Sequence, residues 1–116
     1  MSRINYIFID YENIQPEDIE LVKNNLFFVK IFIGANQTKI PVKIASTLQK
    51  LGEKAEYILL ESSGHNALDF HIAYYIGNQV ITDPKGYFHI ISKDSGFDPL
   101  INHLKKKKYL FPGVFV

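Results

Sequence analysis

Four aspartates stand where an apolar run of the chain begins or ends: Asp10, Asp69, Asp94 and Asp98. Asp10 closes the run INYIFI (4–9), and Asp94 and Asp98 follow the run GYFHIIS (86–92). Carboxylates in such positions have two common uses. They can accept hydrogen bonds from the free amides at the start of a helix. They can also hold a divalent cation, which lowers the pKa of a bound water and neutralises charge on a phosphoryl oxygen.

Each aspartate, taken singly, has a structural interpretation. Asn66 and Asp69 have the spacing of a capping box, Asp94 can cap the helix that follows it, and Asp98 suits the positive end of that helix. Asp10 can form an Asx-turn. Taken together, the four favour a metal site, because carboxylates within about 5 Å of one another repel unless protons or cations lie among them. A site made of oxygen ligands alone selects Mg²⁺ or Mn²⁺.

The elements that would bring these aspartates together alternate between strand and helix. Short apolar runs predict strands at 4–9, 26–34, 55–61, 86–92 and, less regularly, 109–116. Helical spacing predicts helices at 16–25, 40–52, 67–81 and 95–108, of which 67–81 is apolar on almost every side and is expected to be buried. This alternation predicts a parallel, doubly wound α/β sheet between helical layers.

The strand order decides whether the aspartates meet. Ligands of an open parallel sheet bind beyond the carboxyl ends of the strands, near the point where the strand order reverses. If the first and fourth strands are neighbours, Asp10, Asp94 and Asp98 converge at one edge, and Asp69 leans over them.

The composition fits one intracellular domain spanning residues 1–116. Hydrophobic residues make up 47% of the chain, which is typical of a globular protein. No cysteine is present, which excludes disulfides and Cys-ligated zinc and suits the reducing cytoplasm. We find no signal peptide and no apolar run long enough to span a membrane.

Charge and motifs narrow the functional classes. The net charge is +1, so bulk attraction to nucleic acid is excluded, although acids concentrate in 10–20 and four lysines form Lys105–Lys108. The sequence contains no phosphate-binding glycine loop, no H-E-x-x-H and no G-x-S-x-G motif.

Three segments carry a resemblance to a known family. FIDYENI, NALDFHIAYYIG and IISKDSGFDPLI, in this order and at these distances, resemble the PIN-like nucleases of the NYN group. The similarity covers nearly the whole chain. It includes a D-x-x-N at Asp10 and Asn13, the helix-opening Asp69, and an S-x-D-x-x-x-D at Ser92, Asp94 and Asp98.

The resemblance implies a three-layer α/β/α sandwich and a divalent-metal-dependent ribonuclease. By this analogy Asp10, Asp94 and Asp98 hold Mg²⁺ or Mn²⁺, and Asp69 completes the acidic cluster or orients the attacking water. Asn13 and Ser92 would support these ligands. Many bacterial members have S-x-D-x-D-F, where this chain has Gly96 in place of the second acid, and Asp98 matches the D-x-x-x-D spacing of other members.

Residues that could contact RNA follow three of the predicted strands. Asn36, Gln37 and Lys39 follow the second strand, Asn66 belongs to the loop after the third, and Lys93 lies beside Asp94. The alternatives are a solvated lysine at position 93 and ordinary polar loops elsewhere. The lysine run can track phosphates, or it can be the solvated end of a helix.

Two rival functions stay open from the sequence. The first is a non-catalytic domain that binds nucleic acid or protein, motivated by Gly96 and the near-neutral charge. The second is a metal-dependent phosphatase acting on small phosphoesters, since similar sets of acids and lysines occur on other doubly wound sheets. The high apolar content makes a homodimer plausible, and a bare domain leaves room for a protein partner that selects the RNA.

Overall fold

The computed structural model describes residues 3–12, 27–93 and 95–115. Five strands are formed: β1 (Asn5–Asp10), β2 (Phe27–Ile33), β3 (Ala55–Leu59), β4 (Tyr87–Ile91) and β5 (Leu110–Phe115). The helices of this part of the chain are α1 (Val42–Lys50), α2 (Ala67–Thr82) and α3 (Asp98–Lys106), with short 3₁₀ turns at Gly52–Lys54 and Ser95–Phe97. The helix predicted at 16–25 lies outside the described residues. No helix among those described is long and apolar enough to cross a membrane.

The strands form one parallel sheet in the order β3-β2-β1-β4-β5. The chain builds outward from β1 to β3 on one side, then returns to place β4 on the other side of β1. The strand order therefore reverses between β1 and β4, which are neighbours as the convergence of the aspartates requires.

Helices cover both faces of this sheet. Ile44 and Leu48 of α1 pack on one face, whereas the buried residues of α2 and α3 pack on the other. Parallel crossovers are right-handed, so connections running in opposite directions along the sheet place their helices on opposite faces. The predicted three-layer α/β/α sandwich is confirmed.

Helix α2 departs from its prediction. It buries a stripe of aliphatic residues against β1 and β2: Leu68, Ile72, Ile76 and Val80. Its outer side is also apolar but is exposed, and Phe70, Tyr74 and Ile81 remain 70%, 65% and 78% accessible. The expectation of a fully buried helix was wrong for the isolated chain, because a helix on an outer layer has only one sheet face to pack against.

The start of α2 also differs from the capping box expected there. Asn66 is the N-cap residue, but its backbone is left-handed (φ 59°) and its side chain makes no capping hydrogen bond. Backbone groups close the turn instead, since the amide of Ala67 donates to the carbonyl of Gly64 and that of Phe70 to the carbonyl of Asn66. The side chain of Asn66 is thus not consumed by the helix start.

A buried phenol fixes β4 beside β1. The Tyr6 hydroxyl donates to Oδ2 of Asp83, in the turn before β4, at 2.8 Å, and the amide of Tyr87 donates to the carbonyl of Ile4. Burial, with the hydrogen bond and the charge of Asp83, raises the pKa of Tyr6 to about 12. The folded state therefore keeps the Tyr6 proton at pH values where the unfolded chain, with a pKa near 10, has lost it.

This shift predicts a specific alkaline instability. The contribution of Tyr6 is complete below pH 10 and is lost as the pH rises towards 12, at a cost of roughly 2 kcal/mol in the free energy of unfolding. Tyr6→Phe has no such proton, so the stability difference between the two chains should shrink across this range. Urea unfolding of both chains at a series of pH values measures it. Parallel curves for the two chains would contradict the prediction.

Candidate active site

A buried carboxylate lies where the strand order reverses. Asp10, the last residue of β1, is 0% exposed, and Ser92, directly after β4, is 1% exposed. The Ser92 hydroxyl donates to Oδ2 of Asp10 at 2.7 Å. A polar group withdrawn from water needs hydrogen-bond partners, and Ser92 supplies one to Asp10. Ser92 is thus in direct contact with Asp10, and its role as the support of a metal ligand stays a prediction.

Strand register explains why these two residues meet. Ile9 pairs with Ile91, so the residues that follow them arrive side by side at the carboxyl edge. Side chains alternate along a strand, and Asp10 and Ser92 therefore share the face that α2 and α3 cover. Phe32, the register partner of Asp10 on β2, is completely buried on this same face. Asp10 and Ser92 therefore lie beside a buried aromatic side chain, Phe32.

Two further predicted aspartates belong to helices that begin at this edge. Asp98 is the first residue of α3, and its side chain is exposed. The turn before it is anchored by Phe97, which is 3% exposed in the core. Asp69 is the third residue of α2 and is half-buried. The fold thus sends both acids to the edge that carries Asp10, on different elements.

The metal cluster expected from the sequence is only partly described. Asp94, its central member, and Asn13, its expected support, lie outside the described residues. Within 3–12, 27–93 and 95–115, no three Asp, Glu or His side chains lie close enough together to hold a metal ion. The donors that do reach the edge are carboxylate and hydroxyl oxygens, which are the chemistry that Mg²⁺ and Mn²⁺ prefer. The residues present fit such a cation without completing its site.

Gln37 has a structural task that its sequence position did not reveal. Its Oε1 accepts from the amide of Gly34 at 2.8 Å, and its Nε2 donates to the carbonyl of Tyr11 at 3.2 Å. The side chain therefore joins the carboxyl ends of β1 and β2 and holds the loop beside the candidate site. The predicted contact of Gln37 with RNA stays a prediction. It would have to use hydrogen bonds that the side-chain amide can form in addition to these two.

The other predicted contact residues surround the same edge. Asn36 and Lys39 follow β2, Asn66 precedes α2, and Lys93 follows Ser92, and all four side chains are exposed. The lysine run Lys105–Lys108 is exposed too, but α3 runs from the carboxyl edge to the opposite one. Its position at the far end of α3 favours the solvated helix end over a phosphate track leading from Asp10.

Glu12 is a candidate that the sequence reasoning missed. It lies two residues after Asp10, and a Cβ atom added to the buried Gly34 would overlap its carboxylate. The glycine thus leaves room for an exposed acid over the carboxyl end of β2. Tyr11, between the two acids, packs on the α1 face, and burial raises the pKa of its hydroxyl. The signal available in the sequence was the D-x-E spacing, which places two acids on one side of an extended chain.

Comparison with known proteins assigns the fold to a family. The PIN domain family model matches residues 4–110, which span β1 to β4, the first residue of β5 and all the aspartates discussed above. No curated protein and no solved structure gives a significant match. With a match over most of its length, a parallel sheet in this strand order and an acidic carboxyl edge, the chain belongs to the PIN domain family.

Proposed function

We propose that this protein is a divalent-metal-dependent endoribonuclease of the NYN group of PIN-like domains. PIN domains are generally nucleases, and a buried acid at the carboxyl edge of the sheet supports the same function for this chain. The observation that carries the proposal is the buried Asp10 carboxylate, fixed by Ser92 at the reversal of strand order. A buried acid at a ligand-binding edge is costly to keep for packing alone.

The proposed site assigns a role to each acid. Asp10, Asp94 and Asp98 would hold Mg²⁺ or Mn²⁺, which when bound lowers the pKa of a water and neutralises charge on the scissile phosphate. The Ser92 hydroxyl donates to one oxygen of Asp10 and would thereby orient the carboxylate towards a bound cation. Asp69, half-buried at the start of α2, would complete the acidic cluster or orient the attacking water. Asn13 would support the cluster from the residues after β1.

Single-stranded RNA is the proposed substrate. The exposed amides and cations around the edge suit a flexible backbone: Asn36, Lys39, Asn66 and Lys93. These four provide few charges, so substrate selection would also draw on a protein partner. The proposed site of action is the cytoplasm.

A metal-dependence experiment tests the proposal. End-labelled single-stranded RNA is incubated with the purified chain alone, with Mg²⁺, with Mn²⁺, and with Mn²⁺ plus a chelator. We expect internal cleavage with either metal and none with the chelator, because the acids alone repel one another and the phosphate. Cleavage that persists in the chelator would contradict the metal-dependent mechanism, and cleavage only from one end would contradict an endonuclease.

A non-catalytic domain is the second candidate, favoured by one observation. The Asp98 side chain is exposed, and Gly96 occupies the place where many bacterial members of the group have an acid. If Asp98 does not reach the cation, the domain would bind RNA without cleaving it. Metal-independent RNA binding with no cleavage of any tested RNA would select this candidate. Turnover of a generic phosphomonoester would instead select the small-phosphoester phosphatase.

A further inference from the structure

The outer side of α2 carries a continuous apolar stripe. Phe70, Tyr74, Gly77 and Ile81 are spaced four, three and four residues apart, so they share one side of the helix. The stripe lies opposite the residues that α2 buries against the sheet. We infer that this stripe is the interface of a homodimer in which α2 pairs with α2 of a second copy in antiparallel orientation. The inference is independent of the proposed nuclease activity.

The area of the stripe fits a reversible dimer. Its three large side chains are about two-thirds exposed or more, and together they offer on the order of 400 Å² of apolar surface per copy. A patch of this size on a monomer is commonly a binding surface. Two copies would bury about 800 Å² from these side chains alone, and the flanking Ala73 and Asn78 extend the contact. The total approaches the roughly 1,200 Å² at the lower limit of specific interfaces.

Charge favours a protein helix over RNA as the occupant. Between Ala67 and Thr82 the only charged residue is Asp69, and no lysine or arginine is present. Affinity for nucleic acid depends on cations that neutralise phosphates, and this helix has none. An identical uncharged stripe, by contrast, meets no electrostatic opposition.

The order of side-chain sizes makes the stripe complementary to itself. In an antiparallel pair the start of one helix lies against the end of the other, so Phe70 faces Ile81 of the second copy. The same register sets Tyr74 against Gly77 of the second copy. A Cβ added to Gly77 meets no atom within 4 Å, so there is open space above the helix to receive the tyrosine ring. Large residues thus oppose small or aliphatic ones along the pair.

Ring contacts that lead back to the core restrict the side chain of Tyr74. Its ring packs edge-on against Tyr75 at 5.1 Å between centroids, and Tyr75 packs edge-on against Phe32 at 5.5 Å. Lys30 also lies over the ring of Tyr75, at 5.5 Å from its centroid. A side chain that is already ordered loses less entropy on binding.

A charge-exchange experiment tests both the dimer and its register. Sedimentation velocity across a concentration series is run on the full chain, on Phe70→Lys, on Ile81→Glu, and on an equimolar mixture of the two variants. We expect the dissociation constant of the dimer to rise about a hundredfold or more in each variant, since each loses two symmetry-related contacts. The mixture should dimerise again, because the lysine introduced in one variant would face the glutamate introduced in the other.

The control is Val42→Lys, which places the same charge on an apolar side chain that is 80% exposed on α1, outside the stripe. Circular dichroism melts confirm that every variant is folded. A full chain that stays monomeric at all concentrations overturns the inference. A dimer whose dissociation constant is unchanged by both substitutions overturns it too. Weaker RNA binding by Phe70→Lys with no change in mass would identify the stripe as an RNA surface and also overturn it. Failure of the mixture to recover overturns the antiparallel register.

Discussion

Asp10→Asn is expected to reduce RNA cleavage by about a hundredfold or more while leaving the fold intact. The substitution keeps the size of the side chain and its ability to accept the hydrogen bond from Ser92. It removes the negative charge that a divalent cation needs, and a bound cation contributes several kcal/mol of charge stabilisation to the transition state. Cleavage rate as a function of Mn²⁺ concentration, with the melting temperature of the variant, measures both parts of the expectation.

The stability of Asp10→Asn provides the sharper half of this test. The substitution keeps the volume of a completely buried side chain and its contact with Ser92, so the melting temperature should stay close to that of the unchanged chain. Asp83→Asn is the matched control, since it makes the same change in the turn before β4, and it should retain cleavage. Equal loss of activity in both variants, or full activity in Asp10→Asn, would contradict the assigned role of Asp10.

Phe32→Ala is expected to destabilise the chain by about 3–5 kcal/mol, a large part of the 5–15 kcal/mol that stabilises a typical domain. Phe32 is fully buried beside Asp10 and packs against Phe8, at 6.4 Å between ring centroids, and against Tyr75. Removal of its ring leaves a cavity directly next to the candidate site. Urea unfolding at neutral pH measures the loss.

Phe32→Leu distinguishes the loss of buried volume from an effect on the position of Asp10. It retains most of the buried volume and should cost less than half as much as Phe32→Ala. If the Phe32 ring also positions Asp10, the alanine variant should need more Mn²⁺ for half-maximal cleavage under conditions where it is still folded. A loss of stability below about 1 kcal/mol would show that the core can collapse around the missing ring.

Local pattern was sufficient to predict the strands that the structure describes. Each predicted strand appears within two residues of its expected bounds, because short apolar runs between turn residues have few other ways to be buried. Gly52, expected to end α1, has the left-handed backbone that such an ending requires (φ 60°). The contact between Ser92 and Asp10 needed more than local pattern, because it requires β1 and β4 to be neighbours, which the sequence left as a condition.

What the sequence did not reveal depends on long-range geometry. An apolar helix reads the same whether its second side meets the protein or another molecule, so the exposure of Phe70 was not foreseeable. Gln37 looked like a free polar loop residue because its partners, Gly34 and Tyr11, belong to different strands. Glu12 was passed over because its place beside Gly34 depends on how β1 lies against β2.

The hydrogen bond between Ser92 and Asp10 joins residues that are 82 positions apart in the chain. Contacts of such long range slow folding, because closing a long loop costs entropy before any packing offsets it. Because β4 follows β1, β2 and β3 in the chain, a nascent chain on the ribosome holds those three strands before the Ser92 hydroxyl can reach Asp10. The candidate nuclease would acquire its site only after β4 has been made, and any opening of β4 from β1 would dismantle that site before the rest of the sheet was lost.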